Sequence, residues 1–179
     1  RFLSKKGDPS SLRGNEVRTI YEDKKGNLWV GTDGDGLHRM DKKHGTFKHF
    51  GNSTEPQHSL SAPKGPRSWR PQVTFFFEDR DGFIWIGDWA GGIKCYDPNT
   101  GQARVYNSLG KKGSQLLENN AWAGFQSKDG VVWLSTASEG ARVYRTAGKR
   151  GIFNSVFLPT KTDFVKSFGE DDKKNIYFT

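Results

Sequence analysis

Cysteine is all but missing from this chain of 179 residues: Cys95 stands alone, which excludes a disulfide framework and a metal site built on several thiolates. Its neighbours Lys94 and Tyr96 lie in a strand-like stretch, so the thiol reads as packed and inert. Apolar residues make up only 33% of the sequence, and the mean hydropathy is −0.78. No apolar run is long enough for a membrane-spanning helix, and these residues contain no signal peptide. No segment sustains a helical period either. So little apolar material suits thin sheets with many polar turns better than one thick core.

Catalytic and metal signatures are equally scarce. The chain has no nucleophile elbow, phosphate loop or zinc motif, and the spacing of its carboxylates selects no acid–base pair. His38, His44, His49 and His58 share no ligand spacing of the helical i, i+4 kind. Asp33-Gly34-Asp35-Gly36 is followed by Leu37 and His38, without the further carboxylates a calcium loop needs. No catalytic residue, metal or cofactor is therefore expected. The net charge of +8, with a pI near 9.6, is scattered through turns and interleaved with acids, as in Glu22-Asp23-Lys24-Lys25. That pattern is a solvated surface and not a nucleic-acid stripe.

What the chain does have is repetition. Glu22-Asp23-Lys24-Lys25-Gly26-Asn27-Leu28-Trp29-Val30-Gly31 returns as Glu78-Asp79-Arg80-Asp81-Gly82-Phe83-Ile84-Trp85-Ile86-Gly87, with weaker copies at 126–135 and 170–179. Trp29, Trp85, Trp133 and Tyr177 stand 56, 48 and 44 residues apart by their numbers. Phe2 to Leu12, Phe50 to Leu60 and Tyr106 to Leu116 are ten residues each, so the basic period is 48, with an insertion between Leu60 and Val73. The units run roughly over 13–60, 61–116, 117–160 and 161–179, the last one truncated.

Within a unit, β-branched and aromatic runs alternate with glycine-bearing turns. Strands are expected at 17–22, 28–32, 37–40 and 46–50, and again at 73–78, 83–88, 93–96 and 102–106. Four short strands per unit of this length are the signature of a β-propeller blade. The expected fold is all-β: four-stranded antiparallel meanders in an incomplete ring of about three and a half blades, hence a part of a larger chain. A single blade cannot bury both faces, so Trp29, Trp85 and Trp133 are expected to fill the gaps between stacked sheets.

The pattern from Asn15 and Val17 through Ile20, Glu22, Asp23, Gly26, Leu28, Trp29, Val30, Gly31 and Thr32 to Gly36, Leu37, Asp41 and Gly45 resembles the two-component regulator propeller repeat. Asp8-Pro9-Ser10-Ser11-Leu12, echoed at Ser59-Leu60-Ser61, is similar to that family's linker. The third copy departs, with Gln126 and Ser127 for the acidic pair, Ser135 for glycine and Arg145 for aspartate. The fourth drifts toward streptogramin-lyase-like propeller repeats. The resemblance implies seven-bladed propellers, often in tandem, in the periplasmic part of bacterial sensor histidine kinases anchored in the inner membrane. It further implies an oligosaccharide or other small-molecule ligand, downstream signalling domains as partners, and a homodimer.

Strand direction sorts the loops. The turns between second and third strands share one face with the inter-blade linkers. That linker face collects the candidate ligand-binding residues Asp33, Asp35, Arg67, Trp69, Arg70, Asp88, Trp89, Trp122 and Glu139. Indole faces suit sugar C–H groups, and carboxylates and arginines suit hydroxyls. The opposite face carries Lys24, Lys25, Lys42, Lys43, His44, Arg80, Lys128, Lys173 and Lys174. The leading expectation is a non-catalytic sensor module. The alternatives are a propeller enzyme, with His38 the nearest candidate histidine, and an interaction scaffold using the basic face.

Overall fold

The computed structural model describes residues 1–50, 72–108, 116–137, 142–147, 149–157 and 164–179. Among them there is no helix. The first sheet comprises β1 (Val17–Glu22), β2 (Leu28–Thr32), β3 (Gly36–Asp41) and β4 (Thr46–Phe50). The second comprises β5 (Gln72–Glu78), β6 (Ile84–Trp89), β7 (Gly92–Tyr96) and β8 (Ala103–Tyr106). The third comprises β9 (Ala121–Gln126), β10 (Val132–Thr136), β11 (Arg142–Ala147) and β12 (Lys149–Phe157), and β13 (Phe168–Glu170) pairs with β14 (Ile176–Phe178). Every sheet is an antiparallel meander in chain order. The first strands touch in succession, β1 with β5, β5 with β9 and β9 with β13, so the sheets stack as blades around their innermost strands. The fold is a set of β-propeller blades.

The motif that recurs in the sequence is a hydrogen-bond hub. Asp23 accepts from the backbone N–H of Lys25 at 3.0 Å and of Asn27 at 2.8 Å, and from Trp29 Nε1 at 2.9 Å. Asp79 does the same for Asp81, Phe83 and Trp85 Nε1 at 3.0, 2.9 and 2.9 Å. Asp171 serves Lys173, Asn175 and the Tyr177 hydroxyl. A short carboxylate at the start of the turn thus closes the turn and orients the ring six residues later. Where serine replaces it, Ser127 Oγ accepts from Trp133 Nε1 at 3.3 Å and Asp129 takes over the Val131 N–H. Gly26, Gly82 and Gly130 hold φ between 79° and 88° in these turns, the left-handed region that glycine enters without strain; Lys174 stands there in the fourth copy at 65°.

The oriented rings fill the spaces between blades. Trp29, fully buried, packs with Val73, Ile84, Ile86 and Tyr96 of the second sheet. Trp85, also fully buried, meets Leu116, Ala121, Leu134 and Phe153, and Trp133 meets Val165 and Phe168. An indole buries some 150–250 Å², worth up to about 4–6 kcal/mol at roughly 25 cal/mol per Å². Cys95 lies in the Trp85 cluster, 2% exposed.

A second device binds neighbouring blades. Lys24 donates its backbone N–H to Glu78 Oε2 at 2.7 Å and its Nζ to the Asp79 carbonyl at 2.9 Å. Arg80 repeats this on Gln126 at 2.8 Å and on the carbonyls of Ser127 and Lys128. Lys128 repeats it on Glu170 and the Asp171 carbonyl. Three cations that read as a free basic surface are therefore committed to the next blade's turn.

Candidate functional site

Register decides what stands on the linker face. Thr32 pairs with Gly36, and Asp88 pairs with Gly92 in the same way, so Trp89 occupies in the second blade the place of Asp33 in the first. Asp88 is the counterpart of Thr32 and points between blades. It is fully buried, with Oδ2 3.1 Å from Lys94 Nζ, itself 2% exposed. Asp88 thus serves blade packing and is not presented to a surface ligand. Burying such a pair carries a large desolvation cost, which the close charge contact opposes.

The residues left on the face are an ion pair and an aromatic run. Arg18 Nε donates to Asp33 Oδ2 at 3.1 Å, with Nη2 on the same oxygen. Asp33 bridges to Gln72, and Gln72 is the cross-strand partner of Trp89. The Trp89 and Trp122 rings are 5.3 Å apart at 73°, and Trp122 is 5.3 Å from Phe164 at 52°. Trp89 and Trp122 are half-buried, and Phe164 is 40% exposed. Ala90, at φ 71°, turns the chain directly after Trp89. The face therefore carries an ion pair in the first blade, joined through backbone pairing at Gln72 to a run of three aromatic rings drawn from the second blade, the third blade and the linker after it.

Of the residues expected to bind a ligand, Trp89 and Trp122 meet here, and Asp33 pairs through its backbone with Gln72, the cross-strand partner of Trp89. Asp35 is exposed at the tip of its turn, its carboxylate so close to Gly14 that a Cβ there would lie 2.6 Å from Oδ2. Arg67, Trp69, Arg70 and Glu139 lie outside the described residues. Arg18, Gln72 and Phe164 were not expected. Arg18 carries a strand pattern only, and Phe164 sits in a linker without periodicity, so neither has a sequence signal of its own. No group of three or more His, Cys, Asp or Glu that could hold a metal occurs among the described residues.

His38, the nearest catalytic candidate, is fully buried in the third position of β3. Its ring partners are Thr32 Oγ1 at 3.1 Å and His49 Nδ1 at 2.7 Å. On the opposite face, a groove of about 640 Å³ is lined by Arg39, Lys42, Lys43 and Lys48 with Met40 and Phe47.

Residues 11–34 match the two component regulator propeller family. No curated protein sequence matches the chain. Among solved structures, it is similar to the extracellular domain assigned to the hybrid two-component system BT3049 from B. thetaiotaomicron, at 19% identity and a TM-score of 0.75 over 98% of this chain and 22% of that one. It is similar also to the extracellular domain assigned to the hybrid two-component system BT4673 of the same organism, at 21% identity and a TM-score of 0.69 over 97% and 23%. A catalytically inactive H270A virginiamycin B lyase from Staphylococcus aureus aligns at 19% identity and a TM-score of 0.62 over 93% of this chain and 50% of the lyase. The chain spans less than a quarter of the length of the two extracellular domains. At these identities the likeness shows a shared propeller fold.

Proposed function

We propose that this chain is part of an extracytoplasmic, ligand-sensing propeller of a two-component system, and that the linker face binds an oligosaccharide. The observation that carries the ligand is the run Trp89–Trp122–Phe164, with the Arg18–Asp33 ion pair on the same face. Ring faces and edges at angles to one another receive the apolar C–H surface of a sugar, while a guanidinium and carboxylate already held together supply hydroxyl partners without further ordering. The repeat match at residues 11–34 supports the sensory assignment.

On this reading the protein is periplasmic and membrane-anchored, this segment is non-catalytic, and its partners are the rest of the propeller, a downstream kinase and a second copy. Signalling requires that the ligand bind one conformational state more tightly than the other. The enzymatic alternative has no comparable support, because His38 is enclosed by Thr32 and His49 rather than set in a cleft beside an acid.

The test is a glycan-array screen of the complete ectodomain, followed by titration of Trp122→Ala, Trp89→Ala and Trp69→Ala. Loss of one stacking ring is expected to cost about 2 kcal/mol, or roughly 30-fold in Kd. Parent-like binding by both Trp89→Ala and Trp122→Ala would remove the site from this face.

A further inference from the structure

Residues 1–14 lie against the first sheet. Phe47 N–H donates to the Ser10 carbonyl at 2.8 Å, Leu12 is buried with Val30 and Phe47, and Phe2 meets Phe47 edge-on at 5.7 Å. A further attachment runs through two histidines, one of which also meets the Arg13 backbone. His38 and His49 are direct cross-strand partners in β3 and β4. Their Nδ1 atoms face each other at 2.7 Å, His49 Nε2 lies 2.8 Å from the Pro9 carbonyl, and His38 Nε2 lies 3.1 Å from Thr32 Oγ1.

We propose that the His38–His49 pair is an acid-released clasp holding residues 1–14 on the first blade. The bookkeeping of protons gives the mechanism. A carbonyl only accepts, so His49 carries a proton on Nε2 whenever it holds Pro9. With no added proton, His38 Nδ1–H donates to His49 Nδ1, and Thr32 donates its hydroxyl hydrogen to His38 Nε2. With one added proton, His49 is doubly protonated and donates from Nδ1 to His38. His38 then carries its hydrogen on Nε2, and Thr32 turns its own to the Gly36 carbonyl, 3.1 Å away. Both states keep the clasp closed. A second added proton places N–H against N–H across 2.7 Å, which no rotation of Thr32 relieves, and the rings must part.

The surroundings oppose that second proton. Burial, the neighbouring His49 and the Arg13 guanidinium hold His38 down to about 4, although the Arg13 backbone hydrogen bond pulls upward. Burial lowers His49, the Pro9 bond raises it, and Arg13 lowers it again. The two rings titrate as a unit. Their folded value lies below the ordinary 6.5, so the clasp's contribution is complete above about pH 6.5 and is lost as pH falls toward about 4. Protonation alone strengthens the His49–Pro9 bond; the segment is freed when repulsion between the two charged rings swings His49 away and carries its Nε2 out of reach of Pro9.

Hydrogen exchange read by mass spectrometry on the full-length protein tests this between about pH 7.5 and pH 4, with intrinsic rates corrected. The peptides covering 1–14 and 46–50 are expected to lose protection at least tenfold, with a midpoint between about pH 6.5 and pH 4. His49→Gln keeps an amide N–H for Pro9 and cannot take the second proton, so its segment stays protected across the range; His38→Gln provides the same comparison from the other ring. Protection that persists in the parent to pH 4 overturns the clasp. So does release of both variants at the parent's midpoint, which would assign the loosening to other groups. If either substitution loosens the segment at neutral pH, NMR titration of the two histidine ring protons in the parent decides: ring titration that tracks release supports the clasp, and release without it overturns it.

Discussion

Replacing Asp79 by alanine removes the acceptor of three hydrogen bonds in one step: the backbone N–H groups of Asp81 and Phe83 and the indole N–H of Trp85. The two backbone donors sit in a turn that water can reach, and they recover part of their loss. The indole cannot, since Trp85 is 0% exposed among Ile93, Cys95, Leu134 and Phe153. A buried donor left without a partner costs about 1–3 kcal/mol, and loss of charge-assisted turn bonds adds a comparable amount. A total near 3 kcal/mol follows, which for a urea slope of about 2 kcal/mol per M lowers the unfolding midpoint by roughly 1.5 M. Asp79→Ser should be milder, near 1 kcal/mol, because Ser127 already plays this part for Trp133. Urea unfolding followed by tryptophan fluorescence distinguishes them. Equal stability of the alanine variant and the parent would refute the view that the repeated aspartate exists to seat the indole.

Gly87→Ala should destabilise by about 1–3 kcal/mol in thermal unfolding, since its Cβ would sit 2.1 Å from Phe75 Cε1 in the seam between blades. Lys94→Met removes the ammonium 3.1 Å from the buried Asp88 carboxylate and should cost about 3–5 kcal/mol, most of it recovered in the double variant with Asp88→Leu; denaturant melts of both check this. Burial alone would raise the Asp23 carboxyl above 3.8, but bonds from the Trp29 indole and Asn27 hold it lower. Its contribution is therefore full above about pH 4 and disappears as pH falls through the lowered folded value, so Asp23→Asn should flatten the acid limb of the stability curve.

Much of this fold is legible in the chain because it is written locally. The strand runs around Trp29 and Trp85 and the turns carrying Gly26, Gly82 and Gly130 announce themselves within a dozen residues. The burial of Trp29 and Trp85 between sheets also follows from the inability of one blade to bury both faces. What the sequence hides is register. His38 and His49 share no helical spacing, and only the length of the 41–45 turn sets them opposite each other in a hairpin. The same blindness places Asp88 beside Trp89 as if both faced a ligand, although pairing with Gly92 sends its carboxylate inward to Lys94. The meeting of Trp89, Trp122 and Phe164 is harder still, for it joins separate units and depends on how blades stack.

The cations that reach from one turn to the next give the chain a polarity of dependence. Lys24 is satisfied by Glu78 and a single carbonyl, whereas Arg80 spans two carbonyls past a glutamine. Copies that look interchangeable by their indoles are therefore keyed to particular successors. A chimera that transposed the second and third units would preserve every tryptophan and still mismatch each junction.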